Sequence, residues 1–179
     1  MEVFSNAPSA FPPRRPVIGG QEYCLRRADR DDIYQILLLE KEVYQGQLPW
    51  SQKIFAKELR RRDSLYLLLY FGSYLVGMVG CRFRFYQAHI TYLAVVPQLQ
   101  GRGLGTYLLT VILNEVKKQE LNKVTLEVRV ENKKAQALYR HLGFRDNFIR
   151  RNYYTNVDRP DSDGLNMICD LRKKNYCQW

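Results

Sequence analysis

The sequence predicts one α/β domain in which a mixed sheet carries helices on both faces. Three observations lead there. Periodic segments follow the order strand, two helices, three strands, helix, strand, helix, two strands, so strands and helices are interleaved along the chain. The 179 residues, 46% of them hydrophobic, suffice for one core without disulfides or metals. A glycine-rich segment, Gly101-Arg102-Gly103-Leu104-Gly105, joins a strand to a helix.

Residues 1–20 hold Pro8, Pro12, Pro13, Pro16, Gly19 and Gly20 and are expected to form a flexible tail or a loosely docked arm, with the folded domain at 21–175. A short strand is expected at 22–28. Asp31 or Asp32 then caps a helix that carries Ile33, Ile36, Leu37 and Val43. A second helix starts after Pro49, with Ser51 as N-cap and Trp50 and Phe55 spaced as a hydrophobic staple. Strands at 64–71 and 74–81 flank Gly72-Ser73, which suits a type II′ turn. A strand at 89–95 ends before Pro97. In the helix at 103–118, Leu104, Leu108, Leu109, Ile112 and Val116 recur at three- and four-residue steps and mark a face packed on the sheet.

At 123–130, Val124, Leu126 and Val128 alternate with Thr125, Glu127 and Arg129, the pattern of a strand with one apolar face. Asn132 caps a short helix with Ala135, Leu138, Tyr139 and Leu142 on its buried side, closed by Gly143. Strands at 144–151 and 166–171 are separated by a polar loop at 157–164.

The formal net charge of +10 favours polyanions, either nucleic acid or a phosphorylated cofactor. The basic residues lie in short scattered clusters, the ordinary pattern of a solvated surface. Cys24, Cys81, Cys169 and Cys177 include no pair at zinc or redox spacing, and the first three sit in apolar runs as buried thiols. Two histidines, His89 and His141, are too few for a typical histidine-based metal site. No apolar run reaches the ~18 residues of a membrane span, and no apolar region follows Arg14-Arg15, so a cytoplasmic location is expected.

The glycine-rich segment fits an anion site. Glycines let backbone approach a ligand, and the free amides of a helix N-terminus attract negative charge, with Arg102 adding its own. An ordinary turn would have the same composition. The spacing matches neither the Rossmann nor the Walker A pattern. Other residues separate these readings. Leu93-Ala94-Val95-Val96-Pro97, then Gln100-x-x-Gly103-x-Gly105, then Leu126-Glu127-Val128-Arg129, then Asn132 with Ala137-Leu138-Tyr139 and Leu142-Gly143-Phe144, resemble the GNAT acetyltransferase superfamily. Leu48-Pro49-Trp50-Ser51 and the segment Phe148 to Tyr154, followed by Asn166-Met167-Ile168, resemble its RimI-type ribosomal-protein alanine N-acetyltransferases. The resemblance covers roughly residues 22–171. Two departures are Tyr92, where a smaller or polar residue often stands, and the proline-rich extension.

This resemblance implies a single GNAT-like domain with a mostly antiparallel sheet, and acetyl-CoA as co-substrate with no metal. The loop Gln100, Gly101, Arg102, Gly103, Leu104, Gly105 and Thr106 would hold the pyrophosphate. The strand residues Leu93, Ala94 and Val95 would hold the pantetheine arm, and Asn132 would contact the cofactor. Glu127 would accept the amine proton, directly or through water, and Tyr139 would protonate the leaving thiolate. From alternation alone Glu127 would be a surface carboxylate, and from periodicity alone Tyr139 would be a core tyrosine. The implied acceptor is a protein N-terminal α-amine, alanine of a ribosomal protein, held by Tyr153 and Tyr154 and drawn in by Asp158, Asp161 and Asp163 if its peptide is basic. A small-amine acceptor (polyamine or aminoglycoside) and a lysine side chain stay open. An RNA- or ribosome-associated binding module also stays open, although no nucleic acid contact is required and no ribonucleoprotein motif is present.

Overall fold

The computed structural model describes residues 7–8, 10–46, 48–155 and 161–172. Its elements are β1 (Val17–Ile18), β2 (Gln21–Glu22), β3 (Cys24–Arg27), α1 (Ile33–Val43), α2 (Gln52–Leu59), β4 (Ser64–Phe71), β5 (Tyr74–Arg84), β6 (Gln87–Val95), α3 (Leu104–Lys118), β7 (Lys123–Arg129), α4 (Lys133–His141), β8 (Arg145–Tyr154) and β9 (Ser162–Asp170). Among the described residues, seven strands form one sheet in the order β3-β4-β5-β6-β7-β9-β8, and β1 and β2 form a small hairpin. Every neighbouring pair is antiparallel except β6–β7.

That exception positions the site. The parallel pairing spans only Ala88↔Val124, His89↔Thr125 and Ile90↔Leu126. Beyond it β6 runs on to Val95 and β7 to Arg129 without pairing to each other. The two strands part, and the sheet carries a wedge-shaped cleft near its middle.

Two glycines of β5 show how helices cover both faces. A Cβ at Gly77 would stand 3.2 Å from Leu108 of α3, whereas one at Gly80 would meet the Tyr66 ring at 2.3 Å. Residues three apart on a strand point to opposite faces. Tyr66 lies on the α2 side, where its hydroxyl donates to the buried Glu58 at 3.3 Å. Any side chain at position 80 must therefore displace a buried ring. Gly80→Ala should lower stability by about 1–3 kcal/mol, the usual cost of overpacking, as a lower denaturation midpoint at unchanged slope.

Ser51 caps α2, and Trp50 packs on Phe55 with ring centroids 5.3 Å apart, as the staple spacing requires. Gly72 takes φ +59 while Ser73 stays out of the positive-φ region, in keeping with the first position of a II′ turn. Asn132 caps α4 by accepting the Ala135 amide at 3.0 Å.

β5 and β8 each run three residues past their expected ends, to Arg84 and Tyr154, and three further features differ from expectation. The helix after β3 is capped by Asp29, through a single 3-10 turn (Arg30–Asp32) that precedes α1. The Asp32 carboxylate turns back instead, accepting the Asp29 amide at 2.9 Å and the Arg26 guanidinium at 2.8 Å. Residues 10–20 form a docked arm, held more firmly than the flexible tail or loosely docked arm expected. Phe11 is buried under the Arg14 guanidinium, Arg14 pairs with Glu115 of α3 at 2.7 Å, and its backbone exchanges two 2.8 Å bonds with Leu25. Proline disfavours helix but leaves an extended edge that a strand can use. β9 begins at Ser162, four residues before the expected start, because Asp163 and Gly164 mimic loop composition. Gly164 is there because the Tyr153 ring lies 3.0 Å from where its Cβ would be. The remainder of the expected polar loop, residues 157–160, and Cys177 lie outside the described residues. No described helix is long and apolar enough to cross a membrane.

Candidate active site

The glycine segment forms the N-terminal lip of α3. Gly101 and Gly103 take φ +80 and +87, a region open to glycine and costly for other residues. Gly103 is the N-cap and supplies no side-chain bond to the first turn. The amides of Gly101, Arg102 and Gly103 donate to no acceptor among the described residues. Leu104, Gly105 and Thr106 open the helix, so their amides belong to the orphan donors of its first turn. Gln100 braces the lip, donating to the Val95 carbonyl at 3.0 Å and accepting from Lys134 of α4 at 3.0 Å. Lys134 thus joins Arg102 as a second cation at the lip, a contact that no local spacing signals.

The end of β6 faces the cleft. The Val96 amide bonds Val76 of β5, so alternation turns the backbone groups of Leu93 and Val95 toward β7 and those of Ala94 toward β5. Past Ile90 there is no strand on the β7 side to receive them. This is an edge inside a sheet, which an extended ligand can complete.

Glu127 lies on β7 just past the last parallel pair, with a nearly buried side chain. His89 Nε2 stands 3.1 Å from its Oε2. Asn166 donates to Oε1 at 2.9 Å, and the Arg150 guanidinium lies 3.5 Å from the same oxygen. Burial alone would raise this carboxyl, but the hydrogen bonds from His89 and Asn166 and the Arg150 charge outweigh it and hold it below the ordinary carboxylate range. His89 is fixed from behind by Thr125, whose hydroxyl is 2.8 Å from Nδ1. The sequence offered His89 only as one of two isolated histidines. Its register opposite Thr125, two residues before Glu127, is the signal that places it.

Tyr139 is buried on α4, edge-on to Phe144 at 5.9 Å. Burial, and then the neighbouring Tyr44, hold its phenol protonated well above the usual range. Tyr154 interacts electrostatically with both Tyr139 and Glu127, and Arg129 stacks on its ring at 4.4 Å. Tyr153 lies T-shaped on Tyr154 at 4.9 Å, and burial, then the nearby Glu127 charge, raise its phenol above the ordinary range. Glu127, Tyr139, Tyr153 and Tyr154 are therefore gathered around one end of the cleft, although Glu127 and Tyr139 do not touch. Asn132 spends its Oδ1 on capping α4.

Glu40 is the functional-looking residue that the sequence reading passed over. It is fully buried on α1; Oε1 accepts the Trp50 amide at 3.2 Å and the Tyr92 hydroxyl at 3.3 Å, while Oε2 has no partner. Tyr92 itself fills the space between Trp50 and Phe55, at 5.4 and 5.8 Å. Desolvation pushes the Glu40 carboxyl up to about 7 from 4.5. The folded state thus keeps a proton that the unfolded chain releases, and this contribution is lost as pH rises from about 4.5 through 7. In melts at pH 5 and pH 8, the stability of wild type relative to Glu40→Gln should be higher at pH 5. An unchanged difference would place Glu40 ionised.

The split parallel pair thus has unpaired helix-start amides at one side and Glu127, with Tyr139 near it, at the other. The model of the Acetyltransferase (GNAT) family matches residues 30–144, and the chain belongs to that family. It is an acetyl-CoA-dependent N-acetyltransferase. The [ribosomal protein bS18]-alanine N-acetyltransferase of Escherichia coli K12 is 36% identical over 110 residues, 62% of this chain and 74% of that protein. The N-alpha-acetyltransferase RimI of Mycobacterium tuberculosis is 34% identical over 129 residues, 70% and 80% of the two chains. The crystal structure of the E. coli ribosomal-protein-S18-alanine N-acetyltransferase superposes with a TM-score of 0.75 at 29% identity, covering 83% of this chain and 94% of that one.

Proposed function

We propose that this chain binds acetyl-CoA in the β6–β7 cleft and acetylates the α-amine of a protein N-terminus, an alanine of a ribosomal protein being the acceptor. The observation that carries the reading is the cleft, with unfilled amides at one side and Glu127 at the other. In the bound state Gly101 to Thr106, with Arg102, take the pyrophosphate, Gln100 holds the lip, and Leu93 to Val95 pair with the pantetheine arm. Asn132 turns its remaining amide group to the cofactor. Acetyl-CoA supplies the thioester carbonyl. Tyr153 and Tyr154 flank the entering amine. Glu127 takes the amine proton, and Tyr139 gives its proton to the departing sulfur.

The acidity of Glu127 bears on the acceptor. Moving a proton from an α-amine (pKa ~8) to an ordinary carboxylate (~4.3) costs about 5 kcal/mol, and from lysine (~10.4) about 8 kcal/mol. A carboxyl held below its ordinary range widens both gaps, and the lysine gap becomes the less workable. Both Glu127 oxygens are already engaged, which favours transfer through a water molecule. Mass spectrometry of alanine-initiated peptides, the same peptides with blocked N-termini, and spermidine tests the reading. Acetyl on the free N-terminus alone is expected. Acetyl on internal lysines of the blocked peptides, or faster transfer to spermidine, would reject it.

A further inference from the structure

The docked arm follows one line along α3 and ends at the glycine lip. Residues four apart on a helix stack into a ridge, and Gly103, Tyr107, Val111 and Glu115 form such a ridge. The arm meets it at three places. Arg14 pairs with Glu115 at 2.7 Å, its charge also acts on the Tyr107 phenol, and a methyl of Ile18 stands 3.7 Å from where a Cβ of Gly103 would be. From Arg14 to Ile18 the arm therefore runs from the far half of α3 back to its first turn.

The place of Ile18 is fixed from both sides. It is the last residue of β1, and Gly19 and Gly20, at φ +59 and +80, join it to β2. Two central residues at positive φ make a type I′ turn, whose length sets the register of the hairpin. Upstream, the Pro16 carbonyl accepts the Tyr23 amide at 2.9 Å, and the Pro8 carbonyl accepts the Arg27 guanidinium at 3.0 Å. Ile18 packs against the core, while Val17, on the other side of the strand, is 68% exposed. The lip amides thus have beside them an aliphatic wall that neither α3 nor β6 supplies. Such a wall excludes water, and hydrogen bonds to an anion strengthen as the local dielectric falls.

We infer that the docked arm is the outer wall of the acetyl-CoA site, with Ile18 standing beside the pyrophosphate at Gly103, so that cofactor binding and arm docking stabilise each other. This rests on the reading of the lip as the pyrophosphate site. A clamp that only held α3 would need Arg14 on Glu115 but no contact at Gly103.

The test uses the full chain and calorimetry with acetyl-CoA. Ile18→Asp and Ile18→Lys remove the same aliphatic packing, so the difference between them reports charge. The new charge would lie about 7 Å from a phosphate on the Gly103 amide, the 3.7 Å contact plus a hydrogen-bond length of ~2.9 Å. One unit charge at that distance changes affinity roughly 3- to 50-fold between dielectric constants of about 80 and 20, so the Lys variant should bind at least ~10-fold tighter than the Asp variant. Melting temperatures check both folds, and Ile18→Gln against Ile18→Lys gives the same sign if the Asp variant fails to fold. The gap should vanish in the KM for acetylpantetheine, a thioester without phosphate. The same pair at Val17, facing the other way, should shift acetyl-CoA far less. Coupling is reciprocal, so saturating CoA should slow hydrogen exchange at the Arg14 and Leu25 amides, which tie the arm to β3, by ~5-fold or more. Equal affinities of the Ile18 variants, a gap that persists with acetylpantetheine, an equal gap at Val17, or unchanged exchange in the arm would overturn the inference. Gly103→Trp keeps that failure apart from failure of the underlying reading. If it loses CoA while the Ile18 variants bind equally, the lip holds the pyrophosphate and the arm only clamps α3. If it keeps CoA, the lip assignment itself fails.

Discussion

Glu127→Gln should lower kcat by ~10²-fold or more while acetyl-CoA affinity stays at its wild-type value. Loss of a positioned base costs about 10²–10⁴-fold. The isosteric amide can still accept the 2.9 Å bond from Asn166, so the damage falls on proton transfer rather than on packing. The loop amides lie on α3, away from the side chain, and binding should not register the change. The pH profile gives a second readout. His89, Asn166 and Arg150 keep Glu127 ionised through and below the ordinary carboxylate range, so the wild-type rise in kcat/KM should follow the acceptor amine near ~8 and not the carboxyl. Burial keeps Tyr139 protonated, so no fall should appear up to pH ~10. Tyr139→Phe should also slow turnover. Wild-type rates in both variants from pH 6 to 9 would remove this pair from the chemistry.

Gly103→Trp should abolish measurable acetyl-CoA binding by calorimetry. The residue sits at φ +87, where a side chain is strained, and the new indole would lie among the amides that the pyrophosphate requires. Two or more charge-assisted bonds at about 1.5–3 kcal/mol each amount to a ~10²–10⁴-fold loss of affinity. Ile18 of the docked arm is the nearest side chain, 3.7 Å from the added Cβ, so the fold has room to survive, and a thermal melt checks that it does. Wild-type affinity in a folded variant would move the pyrophosphate elsewhere.

Much of this arrangement was readable in one dimension. The α3 and α4 stripes, the Ser51 and Asn132 caps and the glycine lip are local signals, set by spacing of four residues or fewer. The role proposed for Glu127 was not local. Alternation put it on the polar face of its strand, and only the resemblance distinguished it from an ordinary surface carboxylate. What escaped are contacts between residues far apart in sequence. His89 meets Glu127 across a parallel pair, Lys134 of α4 meets Gln100 across 34 residues, and Glu40 meets Tyr92 across 52 residues. The firm docking of the arm escaped for a different reason. Proline-rich composition signals a lack of helix, and docking depends on Phe11 and Arg14 finding α3 and β3.

The most direct measurement is a crystal structure with a bisubstrate compound, CoA joined through its sulfur and an acetyl bridge to the α-amine of an alanine-initiated peptide. The pantetheine should run along Leu93 to Val95 between β6 and β7, with its pyrophosphate on the amides of Gly101 to Thr106. The alanine nitrogen should stand within one water of Glu127, and the sulfur should lie within hydrogen-bond reach of the Tyr139 hydroxyl. A peptide on the α3 side of the sheet, or a sulfur remote from Tyr139, would contradict the account.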